Sequence, residues 1–533
     1  MARQVTDNLQ FETAATPYLL EDSIGGTYGD KPIFNQEQVI AQIDAGAEIS
    51  GKTITFGFLD GPHTIGQYNK PGAHFVEPAG YEPFTEAEKT ATREIMHMWD
   101  DLIAPKIVEK NGNGADIMLA TSFLESPPGN GWSYIPIEGK HENLKFWSDV
   151  WMAGSGATHY GEMGQNTLVH EIGHALGLSH PGPYNAGADN DGDGQPDPIV
   201  SVYAQDTGQF TVMSYFSTIE SGGALTLNLA LPGIVAPQTP MLHDILTIQS
   251  KYGADPTTRA DDTVYFANST AGLGVYDLAE NPYPYLAVYD AGGNDTFDFS
   301  TATNGVFLDL RPGAFSSASR GVMTLDEANA VHAAYNAEAG QDLWAPFDEA
   351  GYAGWLEFAL SQGQEALVEA DTGVAGISAT MNRNVSIAYN TVIENAIGGA
   401  ARDYLLGNDV ANVLKGNGGD DVLNGLGGDD QLWGGEGADE FRFFDQSGND
   451  TILDFVSGTD KIHLAGIDAN IGEAGDQAFD FVGDAAFSGT AGELRSYTSG
   501  GLNFLAGDVD GDGLADFTIG TGASHVVASD LFF

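Results

Sequence analysis

The chain has 533 residues, more than one hydrophobic core organises, so two or more domains are expected. It carries 75 acidic against 20 basic residues, a formal net charge of -55, and has no basic run interleaved with aromatics, which excludes nucleic acid and anionic membrane surfaces as partners. It has no cysteine for a disulfide, no stretch long and apolar enough to span a membrane, and no apolar core of a secretory signal between Met1 and Pro17.

In chain order, Phe34 to Ile40 reads as a short helix, and Thr53 to Phe58 alternates as a strand does. Thr85 and Glu88 form a capping box that opens a helix expected to run towards Ile107. Asp116 to Ala120 reads as the next strand. Then comes His170-Glu171-Ile172-Gly173-His174-Ala175-Leu176-Gly177-Leu178-Ser179-His180. Residues four apart on a helix share a face, so His170 and His174 can converge on one ion while Glu171, one step round, reaches a water bound to it. Gly177 can take positive φ, turn the chain and return His180 as a third ligand. Three protein ligands leave one position open, which is the catalytic arrangement for zinc, with Glu171 placed to take the proton of the bound water. The motif alone leaves the enzyme class open. A zinc hydrolase of another substrate fits it, and a calcium-dependent scaffold with a vestigial site is disfavoured by the intact Glu171.

Two loops space carboxylates at positions one, three, five and nine, as the first part of an EF-hand loop does: Asp189, Asp191, Asp193 and Asp197, then Asp508, Asp510, Asp512 and Asp516. Both lack the glutamate at position twelve, so calcium sites and plain acidic turns stay open as readings. Asp244 to Tyr252 reads as the last helix of the first unit. Beyond it Gly, Asp, Asn and Thr take over, placing a boundary near residue 255.

From Gly398 the sequence is periodic at nine residues, with blocks opening at Gly398, Gly407, Gly416, Gly425 and Gly434. The last three carry Gly419, Gly428 and Gly437 at position four, Asp421, Asp430 and Asp439 at position six, and Leu423, Leu432 and Phe441 at position eight. Glycines permit a tight turn whose carbonyls face a cation, aspartate adds a charged oxygen, and the apolar residue points from a short strand into a narrow core. No turn buries its apolar residue alone, so turns stack into a parallel β-roll with calcium between them. Backbone and side-chain oxygens of Gly399, Ala401, Asp403, Val410, Asn412, Gly416, Gly418, Gly419, Asp421, Gly425, Gly427, Gly428, Asp430, Gly434, Gly435, Gly437 and Asp439 are the candidate ligands. Ala401 and Asn412 depart from the repeat, so weaker sites are expected in the first two blocks. Between Leu325 and Asn382, a capping box at Thr324 and Glu327 and the apolar run Trp355 to Leu360 predict a helical insertion, about 324–382. A surface hairpin is expected, its place left open between the roll, the cleft and a partner.

The extended histidine motif, its continuation into Pro181-Gly182, and Val212-Met213-Ser214-Tyr215-Phe216 together resemble the metzincin superfamily, specifically its serralysin branch. Alone, Met213 and Tyr215 read as core residues. The resemblance implies an α+β metzincin catalytic domain, about 20–255, followed by an all-β calcium-binding roll over 256–533. It implies a propeptide within residues 1–60, Met213 beneath the zinc, and Tyr215 as a further zinc ligand that stabilises the oxyanion. It carries calcium roles onto Arg259, Asp261, Thr263, Asp290, Gly292, Gly293, Asp295, Glu394, Asn408, Asp450 and Asp460. Protein or peptide substrates, a type I secretion apparatus reading the Asp530-Leu531-Phe532-Phe533 terminus, a proteinaceous inhibitor and a secreted monomer complete the expectation. The helical insertion is a departure from the family pattern.

Overall fold

The computed structural model describes residues 25–60, 81–112, 114–122, 131–133, 148–153, 159–185, 198–340, 342–444 and 448–533. The opening residues and the Asp189 to Asp197 loop lie outside them. Among the described residues no helix is long and apolar enough to cross a membrane.

Asn35 caps helix α1 (Gln36–Ile43), its side chain accepting from Gln38 N while the Gln38 side chain accepts from Asn35 N. Strand β1 (Thr53–Phe58) forms as its alternation predicts. The short β2 (Tyr81–Glu82) precedes α2 (Glu86–Asp100), which opens on the Thr85–Glu88 box. α2 ends at Asp100 instead of running towards Ile107. Pro105 disfavours helical backbone at Ala104, and Asp100 accepts the amide of Ile107, which starts the chain into β3 (Lys106–Glu109). β4 (Ile117–Ser122), β5 (Gly131–Ser133) and β6 (Val150–Met152) complete a sheet in the order β3-β1-β4-β6-β5, with β2 antiparallel on β4. The expected Asp116 to Ala120 strand forms as part of β4, inside the sheet. The edge is β5, antiparallel to β6.

One sheet face buries Ile54, Phe56, Ile117 and Leu119 against Ile95 and Trp99 of α2 and Leu168 and Ile172 of α3 (Met163–Ala175). Helix α4 (Leu242–Tyr252) starts two residues before Asp244, whose carboxylate accepts the amide of Met241 and so sits in the third helical position.

The second half is mostly parallel strands in two sheets. One contains β7 (Val264–Phe266), β9 (Thr296–Asp298), β13 (Asn395–Ile397), β15 (Val413–Gly418), β17 (Gln431–Glu436) and β19 (Thr451–Ile452). The other contains β10 (Phe307–Asp309), β14 (Tyr404–Asn408), β16 (Val422–Leu426), β18 (Glu440–Arg442), β20 (Lys461–His463) and β25 (Leu531–Phe532). A third sheet pairs β12 (Val385–Ile387) with β8 (Leu286–Val288) and β11 (Phe315–Ser316). β21 (Asp480–Phe481), β22 (Glu493–Ser499), β23 (Leu502–Asp508) and β24 (Phe517–Gly520) extend the first sheet. Successive nine-residue blocks alternate between the two main sheets, so Leu405, Leu423 and Phe441 form one row across neighbouring strands, and Leu414, Leu432 and Ile452 another. All six are fully buried between the sheets.

The expected hairpin near residues 324–382 is three helices: α5 (Leu325–Ala339), α6 (Glu349–Leu360) and α7 (Gln364–Thr372). They lean on the first half of the chain. The His332 ring meets Ala230 O at 2.9 Å, Trp355 Nε1 donates to Asn228 O at 3.2 Å, and Tyr335 stacks on His159 at 4.2 Å. Asn228 and Ala230 belong to the hairpin Leu227–Asn228 with Gly233–Ile234, which borders the cleft described below.

Candidate active site

Helix α3 turns Leu168, Val169 and Ile172 into the core and presents His170 and His174 on one face. Leu178 N closes on Gly173 O at 2.9 Å, and Gly177 takes φ 97°. A Cβ on Gly177 would stand 2.0 Å from Ala47 O, so conformation and space both require glycine. The turn is pinned by α1: Ser179 N donates to Ile43 O at 2.7 Å and Ala45 N to Gly177 O at 3.1 Å. His180 is thereby returned to the other two histidines.

All three rings are oriented the same way. His170 Nδ1 meets Val212 O at 2.7 Å, His174 Nδ1 meets Leu178 O at 2.8 Å, and His180 Nδ1 meets Tyr184 O at 3.0 Å. A carbonyl only accepts, so each Nδ1 carries the proton and each Nε2 a lone pair. Those lone pairs converge, with His180 Nε2 lying 3.1 Å from His174 Nε2 and 3.2 Å from His170 Nε2. Burial keeps the rings neutral, lowering His174 to about 4, His180 to about 3 and His170 well below the usual imidazole range. Three neutral acceptors aimed at one point fit a metal ion.

Glu171 is buried beside them, and its Oε2 has no hydrogen-bond partner among the described residues. Burial raises its carboxyl to about 8 in the metal-free chain, and a cation alongside would lower it. β5 lies over it so closely that a Cβ on Gly131 would stand 2.9 Å from Glu171 Cγ.

The Met213 turn underlies α3, where a Cβ on Gly173 would come within 2.8 Å of the Met213 sulfur. Asp244 holds this turn, accepting from Thr211 Oγ1 at 2.5 Å and Val212 N at 2.8 Å, and Val212 in turn holds His170. The Tyr215 ring centroid stands 4.5 Å from that of His180 and 6.0 Å from that of His170. Asp206 joins the two strands of support, for Tyr184 Oη and Ser214 Oγ both donate to its Oδ1 at 2.7 Å. Tyr184 holds His180, and Ser214 precedes Tyr215. Sequence reasoning singled out neither Asp206, Tyr184 nor Asp244; the one available signal was Tyr184, four residues beyond the third histidine. The cleft occupies about 1650 Å³, with Trp132 and Ser133 on one side and Leu225, Val235 and Pro237 on another.

Outside the residues that line this cleft, the calcium candidates gather in two places. In the first, Thr263 N donates to Asp295 Oδ1 at 2.8 Å, Asp295 N donates to Glu394 Oε2 at 2.7 Å, and Gly292 N donates to Asp290 Oδ1 at 2.9 Å. Gly293 lies against Asp261 O and Asp295 Oδ1, and Asp295 Oδ2 is buried with no partner among the described residues. Arg259 can offer only its carbonyl, since a guanidinium is a cation with no acceptor; here it pairs with Asp101 at 2.6 Å.

In the second, each position-six side chain accepts the amide of its counterpart one full turn earlier. Asp403 N donates to Asp421 Oδ1, Asn412 N to Asp430 Oδ1, Asp421 N to Asp439 Oδ1, Asp430 N to Asp450 Oδ1 and Asp439 N to Asp460 Oδ1. Asp421 Oδ2 is buried without a partner among the described residues, and the opening glycines Gly398, Gly416, Gly425 and Gly434 leave room for the Oδ2 of the aspartate in their own block. Oxygen-only, partly unpaired carboxylates fit calcium.

The position-four glycines have a geometric reason. A Cβ on Gly437 would stand 1.8 Å from Gly419 O, one turn upstream, and one on Gly419 or Gly428 would crowd Ala401 or Val410. Glycine at position four is therefore required where that position packs on the turn upstream, as at Gly419, Gly428 and Gly437. Around Asn408 the cage is closed by hydrogen bonds. Its Nδ2 donates to Leu310 O and Ile393 O, its Oδ1 accepts from Val410 N and Asn412 Nδ2, and Asn412 Nδ2 also donates to Glu394 O. Asn408 and Asn412, both expected as ligands, carry these hydrogen bonds to protein partners.

In the Asp508 loop, oxygens of Asp508, Asp510 and Asp512 lie within 4.8 Å of one another. Asp516 is not part of this group; its Oδ2 accepts Val509 N at 2.6 Å.

The family model described as Peptidase M10 serralysin C terminal matches residues 254–342 and 350–533, most of the helical segment included. A metallopeptidase AprA of Pseudomonas marginalis is 32% identical over 97% of this chain and 97% of its own length. A metalloprotease AprA of Pseudomonas entomophila is 34% identical over 83% of this chain and 78% of its own, and serralysin G of Dickeya chrysanthemi 33% over 84% and 81%. With these likenesses extending through both halves, the chain belongs to the serralysin family and is a metalloendopeptidase.

Proposed function

We propose that this chain is a secreted, zinc-dependent and calcium-stabilised endopeptidase, built as a metzincin catalytic domain over about 20–255 followed by a β-roll over 256–533 that carries the helical insertion. The observation that carries the reading is the convergence of three Nε2 lone pairs beside the unpartnered Glu171 carboxylate. His170, His174 and His180 would hold a zinc ion, whose positive charge would acidify water and polarise the scissile carbonyl. Glu171 takes the proton from the attacking water and passes it to the departing amine. Tyr215, whose ring stands beside His180, would serve as a further zinc ligand and would donate a hydrogen bond to the oxyanion. The backbone of β5 pairs with the extended peptide and aligns its carbonyl. Asp206 and Asp244 keep His180 and His170 in register through Tyr184 and Val212.

Calcium at the Asp290–Asp295 loop and along the aspartate ladder neutralises carboxylates that the fold buries together, which supports the calcium dependence. Type I secretion through the Asp530 to Phe533 end, a propeptide within 1–60, recognition by a proteinaceous inhibitor and a monomeric state rest on the family resemblance. The test is casein hydrolysis in calcium buffer, with a zinc-selective chelator and then with zinc restored. Loss and recovery of cleavage are expected, and cleavage that persists through full zinc removal contradicts the proposal.

A further inference from the structure

Tyr285 lies beyond the boundary near residue 255, immediately before β8, yet it is among the residues that line the cleft, with Val235, Ala236 and Pro237. Its backbone is locked to that wall, with Gln238 N donating to Tyr285 O and Tyr285 N to Gln238 Oε1, both at 2.8 Å. Gln238 is fixed in turn by Asn281, whose Nδ2 donates to Gln238 Oε1 at 2.7 Å. The second half of the chain therefore supplies part of the substrate cleft.

The residue is 2% exposed, and its hydroxyl is buried with no hydrogen-bond partner among the described residues. A methyl group built on Gly208 would stand 3.8 Å from that oxygen and 3.6 Å from Phe216 O, so the hydroxyl sits beneath the segment that directly follows Tyr215. A buried hydroxyl left unpaired is costly, and folded chains rarely keep one. Replacing it by hydrogen would relieve that cost, so its presence at the wall of a cleft points to a partner arriving with the substrate. Among the described residues lining the cleft, Glu171 is the only carboxylate and no lysine or arginine is present, so no counter-charge for an ionic side chain stands at this wall. Burial also keeps the phenol protonated, able both to donate and to accept.

We infer that Tyr285 is a specificity-determining residue, whose hydroxyl receives a substrate side chain ending in a neutral hydrogen-bonding group on an aliphatic stem, with glutamine the fitting case. This rests on the peptidase reading above. The wall of Val235, Ala236 and Pro237 packs the stem, and the phenol pairs with the amide. Methionine matches glutamine in length and lacks the amide, and glutamate matches it in shape and brings a charge. Discrimination by a hydrogen bond to a buried group is larger than discrimination by one methylene, because the wrong side chain leaves the polar group unpaired.

The experiment uses a peptide series varied through glutamine, methionine and glutamate at each position flanking the scissile bond, cleaved by the full-length enzyme, Tyr285→Phe and Gly208→Ala. The wild type is expected to prefer glutamine to methionine at one such position, with the ratio of kcat/KM values falling about tenfold in Tyr285→Phe, the scale of one neutral hydrogen bond. Gly208→Ala, which places a methyl in front of the hydroxyl at a position of ordinary backbone conformation, is expected to lower the same ratio. It supplies a second reading should Tyr285→Phe fold poorly. A ratio that either folded variant leaves unchanged overturns the inference. Failure of the wild type to cleave any peptide overturns the peptidase reading instead, which keeps the two outcomes apart.

Discussion

Each of the three histidines spends its Nδ1 proton on a main-chain carbonyl, and this fixes which nitrogen faces the metal. Two of those carbonyls are local, Leu178 and Tyr184, each four residues from its histidine, whereas Val212 comes from 42 residues beyond His170. The spacing of the histidines was legible in the sequence because it is set by one helix and one glycine turn. Asp206 was not, since its importance comes from Tyr184 and Ser214 meeting on one oxygen. Removing that oxygen should loosen His180 and Tyr215 together. Asp206→Ala is expected to lower kcat/KM or zinc affinity by roughly 10- to 100-fold, the usual range for groups that orient metal ligands, with global fold retained. Steady-state kinetics alongside competition with a zinc-binding dye checks this, and unchanged values on both measures would remove Asp206 from the account.

The elements follow from local chemistry wherever a cap, an alternation or a repeat carries the information. The capping boxes at Thr85 and Thr324 and the alternation of β1 placed their elements correctly. The edge strand β5 escaped notice because three residues, one of them glycine, show no period, and α7 because it opens on Gly363 with no side-chain cap. Gly177 is the clearest single point at which an element depends on one residue. Gly177→Ala forces a side chain into positive φ and against Ala47 O, at an expected cost of roughly 2 to 4 kcal/mol in stability, with zinc affinity reduced as His180 is displaced. Denaturant unfolding measures the first part and metal titration the second. Asp244, held at about 7 by burial, makes an opposite kind of prediction. Its folded value lies above the ordinary 3.8, so the folded state favours the protonated form, and this group's contribution to stability is lost as the pH rises from about 4 to about 7. Asp244→Asn keeps a neutral side chain there, and the difference in stability between wild type and variant is expected to shift in the variant's favour across that window. Parallel melting profiles at pH 5 and pH 8 read it directly.

At the scale of the whole molecule, a chain with net charge -55 gathers part of that charge in one ladder. Asp421 is raised to about 7 and Asp439 to about 6 by burial, with like charge on neighbouring aspartates adding to it. Without calcium, these two groups are best accommodated when protonated, so their contribution to the stability of the roll is lost as the pH climbs from about 4 to about 7. Calcium bound there, as proposed, would reverse the penalty and expel protons as it binds. Chelation at pH 7.5 should therefore lower the melting temperature of the β-rich half more than chelation at pH 5, followed by circular dichroism; equal losses at the two pH values would contradict a carboxylate ladder bridged by cations. The nine-residue period made this ladder legible in advance, whereas the hydrogen-bonded closure at Asn408 was not, because it depends on Leu310, Ile393 and Glu394 from outside the repeats.

The central claim is that Glu171 is the proton carrier beside a metal held by three neutral histidines. Glu171→Gln preserves the shape of the side chain and removes its basicity. The account predicts that the purified variant binds one zinc ion per chain, melts within a few degrees of the wild type in calcium buffer, and loses at least about 10³-fold in casein hydrolysis. A variant that keeps zinc and fold and degrades casein at the wild-type rate would contradict it.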